Sequence, residues 1–235
     1  MVTKDTGSTE VFVKIASRTT QLLDETFEQL RVIATAYSEE LATISKSRET
    51  FTVKDFLRGK PKMVKALSTA DEAVFSMAVV VQDGVIEGLP YWHECIERNA
   101  DGAIYVTQNA ALPWRGAFYN YLNADWLNLP RVSHARAAVG PFVDIDKYLL
   151  TLSSPLLLGD RFIGVIAADI RLDDFERILA PLLSKASCDC AVLNGENRVL
   201  VSNAATFPVG ELVDQTKLKK KRYPCGDEGW YVGIA

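Results

Sequence analysis

Between Gly7 and Gly59 the chain contains no glycine and no proline. These are the residues that most readily end a helix, so the stretch is free to run as one element. Within it Leu23, Phe27, Leu30, Ala34, Tyr37, Leu41 and Ile44 step by 4, 3, 4, 3, 4, 3, which is a heptad seam. The spacing predicts one helix from Thr9 to about Ser47, roughly 55 Å long at 1.5 Å per residue. Such a helix outruns the body of a small domain. Two arrangements satisfy its seam: packing along its own domain, or a homodimer through the N-terminal helix.

Beyond the helix the pattern changes. TVKDFLRG and PKMVKALSTADEA read as short helices. VFSMAVVVQDG has strand character and ends in a turn at Asp83-Gly84. GAIYVTQ reads as a second strand, announced by the turn signal from Asn99 to Gly102, and the alternation of RGAFYNYL predicts a third with Tyr119 and Tyr121 on one face. NADWLNLPRVSHAR is a polar, aromatic, helix-like connector. It leads to AAVGPFVD, where Gly140-Pro141 reads as a turn. KYLLTLSSPLLLGDRFIGVIAADI predicts a hairpin closed at Gly159-Asp160, and Asp173 is placed to cap the helix that follows. CDCAVLNGENRVLVSN is a compact hairpin around Asn194-Gly195, and GWYVGIA a last strand. Hairpin links between strands predict an α+β fold: a long helix at 1–47, a main antiparallel module flanked by helices at 48–185, and a small β module at 186–235.

Chemistry-bearing motifs narrow the function. The formal net charge of −4 argues against a nucleic-acid partner, which calls for a basic footprint. The basic cluster KLKKKRY, Lys217 to Tyr223, reads as a solvated hairpin or loop in preference to a nucleic-acid or anionic-lipid contact. GxSxG, Walker A, GxGxxG and HExxH are all absent, and the chain is read as non-enzymatic. The alternatives are an acid–base enzyme using His134 with Asp144 or Asp169, and a purely structural dimerisation module. His93 lacks a second ligand at metal-binding spacing, and Cys95, Cys188, Cys190 and Cys225 form no CxxC pair, so no metal and no cofactor is expected and the thiols read as free. No apolar run approaches the ~18 residues of a membrane span. The start, MVTKDTGSTE, lacks an export signal's apolar core. Taken as complete, the chain is expected in the cytoplasm.

One carboxylate stands out. Asp169 closes the apolar run Phe162 to Ala168, and burying a charge is costly unless it is paired. Its surroundings resemble the double Cache (PDC-like) sensor domains of bacteria. The elements that carry the resemblance are Pro141-Phe142-Val143-Asp144, the strand Leu150 to Pro155, Gly159-Asp160, Ile163-Gly164-Val165, Asp169-Ile170 and the helix Asp173 to Leu179. About 45 residues match strongly, and the layout extends the likeness loosely over the chain.

The resemblance implies a signal-transduction input domain that binds a small organic molecule, an amine, amino acid or carboxylate, in the larger module. It places Asp169 as the anchor for an amine, Trp126 and the segment to Arg131 as the lid, Tyr119 and Tyr121 on the strands, and Asp144 and Tyr148 at the rim. His134, from its own place in the polar connector, is a further candidate to line a pocket. It also implies a periplasmic or extracytoplasmic location, the alternative to the cytoplasm. The connector departs from the family's Arg-x-Trp-Tyr arrangement: Ala124 stands two before Trp126 and Leu127 follows it. The ligand class therefore stays open.

Overall fold

The computed structural model describes residues 6–90, 92–107, 121–144 and 147–235. Helix α1 runs over Thr6–Ser45, as its heptads predict. Of the two arrangements open to the seam, the protein uses the intramolecular one. Leu23, Phe27, Leu30, Ala34, Tyr37 and Leu41 are all buried within the single chain. The Tyr37 hydroxyl donates to the carbonyl of Phe56 at 3.0 Å, and the Arg136 guanidinium lies 4.5 Å over the Phe27 ring.

Two short helices follow, α2 (Val53–Leu57) and α3 (Lys60–Thr69). Asp55 opens α2 by accepting from both the amide and the hydroxyl of Thr52, at 2.7 and 2.8 Å, which satisfies groups that a helix start leaves bare. A Cβ on Gly59 would lie 2.0 Å from the Tyr37 ring, so the chain can pass over that ring only as glycine.

The main sheet has six strands: β1 (Val74–Val81), β2 (Trp92–Arg98), β3 (Ile104–Thr107), β4 (Ala137–Asp144), β5 (Lys147–Leu158) and β6 (Arg161–Arg171). Their order is β3-β2-β1-β6-β5-β4, and β1 pairs antiparallel with both β2 and β6. The connector holds a short 3-10 helix, Tyr121–Asn123, and α4 (Asp125–Ser133). Helix α5 (Leu172–Leu183) follows β6. A second, four-stranded sheet consists of β7 (Cys190–Leu193), β8 (Val199–Ser202), β9 (Tyr223–Cys225) and β10 (Trp230–Ile234), in the order β8-β7-β10-β9. The architecture is the expected α+β arrangement of a long helix, a larger and a smaller antiparallel sheet, and flanking helices.

The chain divides into two compact units: Glu25–Val139 with Thr151–Ile170, and Met1–Asp24 with Gly140–Leu150 and Arg171–Ala235. The first holds most of the six-stranded sheet. The second is built on the four-stranded sheet, whose core includes Leu193, Val199, Phe207, Leu218 and Tyr231. In it Asp174 accepts from Arg171 and Arg177, both at 2.8 Å, and Phe175 meets Trp230 edge-on.

Four local expectations are corrected. Trp92–Arg98 is a strand, where no element was expected. Gly140-Pro141 is not a turn: β4 runs straight through this cis peptide. Proline has no N–H for the ladder and is tolerated at a sheet edge, where β4 lies. Gly140 is needed there, since its φ is 124° and a Cβ would approach the Leu149 carbonyl oxygen to 2.7 Å. Asp173 lies within the first turn of α5, whose N-cap is Arg171. Tyr121 sits on the 3-10 helix and not on a strand; the rest of the predicted third strand, including Tyr119, lies outside the described residues.

Candidate functional site

Strand register assembles the site. Ser76 on β1 stands opposite Glu97 on β2 and Asp169 on β6, and directly opposed residues of antiparallel strands share a sheet face. The Asp169 carboxylate accepts a hydrogen bond on each oxygen, from Ser76 Oγ and from Thr151 Oγ1, both at 2.6 Å. The next row on the same face is Cys95, Ala78 and Ala167, and the one after is His93, Val80 and Val165. The face is therefore polar at one end, floored by two alanines in the middle, and closed by an imidazole at the other end.

The connector covers this face. Ser153, two residues from Thr151 on β5, donates to the backbone carbonyl of Trp126 at 2.7 Å. Residues two apart on a strand share a face and stand roughly 7 Å apart, so Trp126 and Asp169 are joined through β5. Tyr121 stacks on Trp126 with ring centroids 6.2 Å apart, and His93 meets Tyr121 edge-on at 5.9 Å. The Tyr121 hydroxyl accepts from the Trp92 amide at 2.7 Å, which fixes the aromatic pair to β2.

Burial sets the protonation of the site. It pushes the Cys95 thiol up to about 12, helped by the nearby Asp169 charge, so Cys95 is a neutral thiol and no nucleophile. It also holds the His93 imidazole below its ordinary value, so His93 is neutral at pH 7. Among the described residues no group of His, Cys, Asp and Glu is arranged to hold a metal ion, and all four cysteines are free.

The expected site residues separate into three groups. Asp169, Trp126 and Tyr121 come together on the six-stranded sheet. Arg131 and His134 are exposed at the end of α4, where His134 adopts a left-handed backbone; an acid–base pair built on His134 needs it turned inward. Asp144 and Tyr148 belong to the other compact unit, where a Cβ on Gly210 would lie 2.3 Å from the Tyr148 hydroxyl. Sequence reasoning missed Ser76, Thr151, Ser153 and His93 as site residues. For Thr151 and Ser153 the alternation of hydroxyls within an apolar strand was a usable signal; for Ser76, 93 positions from its partner, there was none.

This combination, a long helix followed by a larger and a smaller antiparallel sheet with a connector folded over the larger one, is the double-Cache (PDC-like) fold. Solved structures show the same fold. The extracellular domain of mmHK1S-Z3, assigned as a histidine kinase, superposes with a TM-score of 0.66 at 10% identity, over 97% of this chain and 93% of that one. The ligand-binding domain of the Pseudomonas aeruginosa PAO1 amino acid chemoreceptor PctC, in complex with GABA, gives 0.59 at 14% identity over 96% of each chain. The sensory domain of the Campylobacter jejuni chemoreceptor Tlp3 gives 0.59 at 10% identity, over 98% of this chain and 96% of that one. No protein-family model matches the chain, and no curated protein does.

The expectation of a cytoplasmic protein does not stand, because structures of this fold include extracellular sensor domains. A polar N-terminus is as natural for such a domain as for a cytoplasmic one, and it carried no information on compartment. No described helix is long and apolar enough to cross a membrane.

Proposed function

We propose that the protein is a non-enzymatic sensory input domain of bacterial signal transduction, facing the outside of the cytoplasmic membrane. Its main module, 48–185, binds a small organic molecule bearing an amine against the polar face of the six-stranded sheet. The observation that carries this reading is the setting of Asp169. Two hydroxyls from different strands hold its oxygens at 2.6 Å and fix its orientation on the polar face. A carboxylate oriented in this way is a natural acceptor for the charge-assisted bond of an ammonium. The Tyr121–Trp126 pair closes the site with aromatic faces, which favour cations and exclude water. The amino-acid ligands of structures with this fold support the reading. A homodimer, in this reading, forms through the exposed side of α1, around Glu28, Arg31 and Val32, since the chain fills the heptad seam itself.

A thermal-shift screen of amino acids, amines and short carboxylates tests the assignment. A ligand present at 100 times its Kd stabilises by roughly 2.7 kcal/mol, and Asp169→Ala abolishes that gain. A gain that survives the substitution overturns the site. An empty screen leaves the purely structural module as the better reading.

A further inference from the structure

The basic run in the four-stranded unit has no place in the ligand site. Lys217, Lys219, Lys220, Lys221 and Arg222 put five cations in six residues, all exposed, in a chain whose formal net charge is −4. Extended, the run spans at most about 18 Å. The run is a solvated loop, as expected, and it is anchored. Leu218 is buried in the core of the small sheet, and the Lys219 amide donates to the carbonyl of Ile234 at 2.8 Å, which ties the run to β10. At its far end the Lys221 ammonium lies 5.2 Å over the Tyr223 ring, and the Arg222 guanidinium 4.5 Å over the Tyr231 ring. Arg222 also donates to Gln215 Oε1 at 3.0 Å. At its start Asp214 caps a second short 3-10 helix, Gln215–Lys217, by accepting from the Thr216 amide, and the Lys217 charge helps hold the Asp214 carboxyl below its ordinary value.

Concentrated cations on an ordered backbone lose little freedom when they meet a charged surface. The cation–π contacts orient two of them without neutralising either. We infer that this run is a docking surface for an anionic phospholipid bilayer. A flat sheet of phosphate headgroups matches a short basic segment fixed beside a strand, each such cation contributing about 1 kcal/mol near the surface. Nucleic acid calls for a basic footprint across the binding domain, whereas this run is confined to six residues. The inference rests on the extracytoplasmic half of the proposed function and not on the ligand.

The test is co-sedimentation of the full chain with vesicles of 30% phosphatidylglycerol in phosphatidylcholine at low salt, against pure phosphatidylcholine. Wild type binds the anionic vesicles only and is released at 0.5 M salt. The variant Lys219→Gln, Lys220→Gln, Lys221→Gln binds roughly 100-fold more weakly, a factor of about five for each cation, with an unchanged melting temperature. Absence of binding to anionic vesicles overturns the inference. So does equal binding to neutral ones, binding that the triple variant retains, or tighter binding to a DNA oligonucleotide of matched charge. Failure of any of these arms leaves the ligand screen untouched, because Asp169 lies on the other sheet.

Discussion

On one face of the six-stranded sheet Glu94 sits between Trp92 and Ile96, opposite Val79, with its side chain 1% exposed and the Lys60 ammonium 2.9 Å away. On the other face Asp169 stays half-buried, and its two oxygens accept from hydroxyls. An apolar face cannot hold a bare charge, so Glu94 carries a permanent counter-ion supplied by α3. On the polar face the hydroxyls of Ser76 and Thr151 orient the carboxylate from two neighbouring strands. The first arrangement serves packing; the second suits a partner that comes and goes. The contrast predicts that disturbing Glu94 costs stability, whereas disturbing Asp169 costs recognition.

The largest effect is expected from Lys60→Met. Removing one partner of a buried ion pair leaves an uncompensated charge, at about 3–5 kcal/mol. Lys60 is about a third exposed, so the lower end, about 3 kcal/mol, is the expected loss in urea denaturation. Adding Glu94→Leu restores most of it, because well-packed apolar residues replace such pairs at little cost. A Lys60→Met protein as stable as wild type breaks the comparison, since Glu94 would then be tolerated without its cation.

A smaller loss tests how the aromatic cover is held. Tyr121→Phe keeps the ring stack on Trp126 but removes the oxygen that accepts from the Trp92 amide. A buried donor left without a partner costs about 1–3 kcal/mol, and we expect about 2 kcal/mol together with weaker ligand-induced stabilisation. A loss of stability with ligand response intact separates the cover from the site and makes Tyr121 a fastening of β2 alone.

These pairs also show what the sequence could and could not tell. The hairpin of β5 and β6 was legible because both strands are continuous apolar runs around Gly159-Asp160. Helix α1 was legible because nothing breaks its period. Strand β2 was not, since WHECIER puts a glutamate on its buried side, and the Lys60 that makes this tolerable lies 34 positions earlier. Strand β4 was hidden by Gly140-Pro141, a turn signal everywhere except on an edge. Asp169 announced itself as a carboxylate in need of partners, yet its partners come from β1 and β5 through register, which no local pattern encodes. Arg131 looked like a lid residue and His134 like a pocket-lining one from their neighbours in sequence; both are exposed at the end of α4, whose buried side is filled by Trp126, Leu127 and Pro130.

The smallest effect concerns pH, and it sharpens the distinction between the faces. His93 is on the polar face, and burial holds its imidazole below the ordinary value of 6.5. The unfolded chain takes up a proton near pH 6.5, while the native state stays neutral until a lower pH. Below about pH 6.5 the unfolded state thus binds more protons, and stability falls with pH until the native imidazole titrates as well, where the decline levels off. Above that range His93 contributes no slope. Denaturation midpoints collected between pH 5 and 8 should show this decline in wild type and a flatter profile in His93→Gln. A decline unchanged in His93→Gln would assign the proton uptake to another group. The polar face would then be as insensitive to protons as the apolar one, and its half-burial would reflect access for a ligand alone.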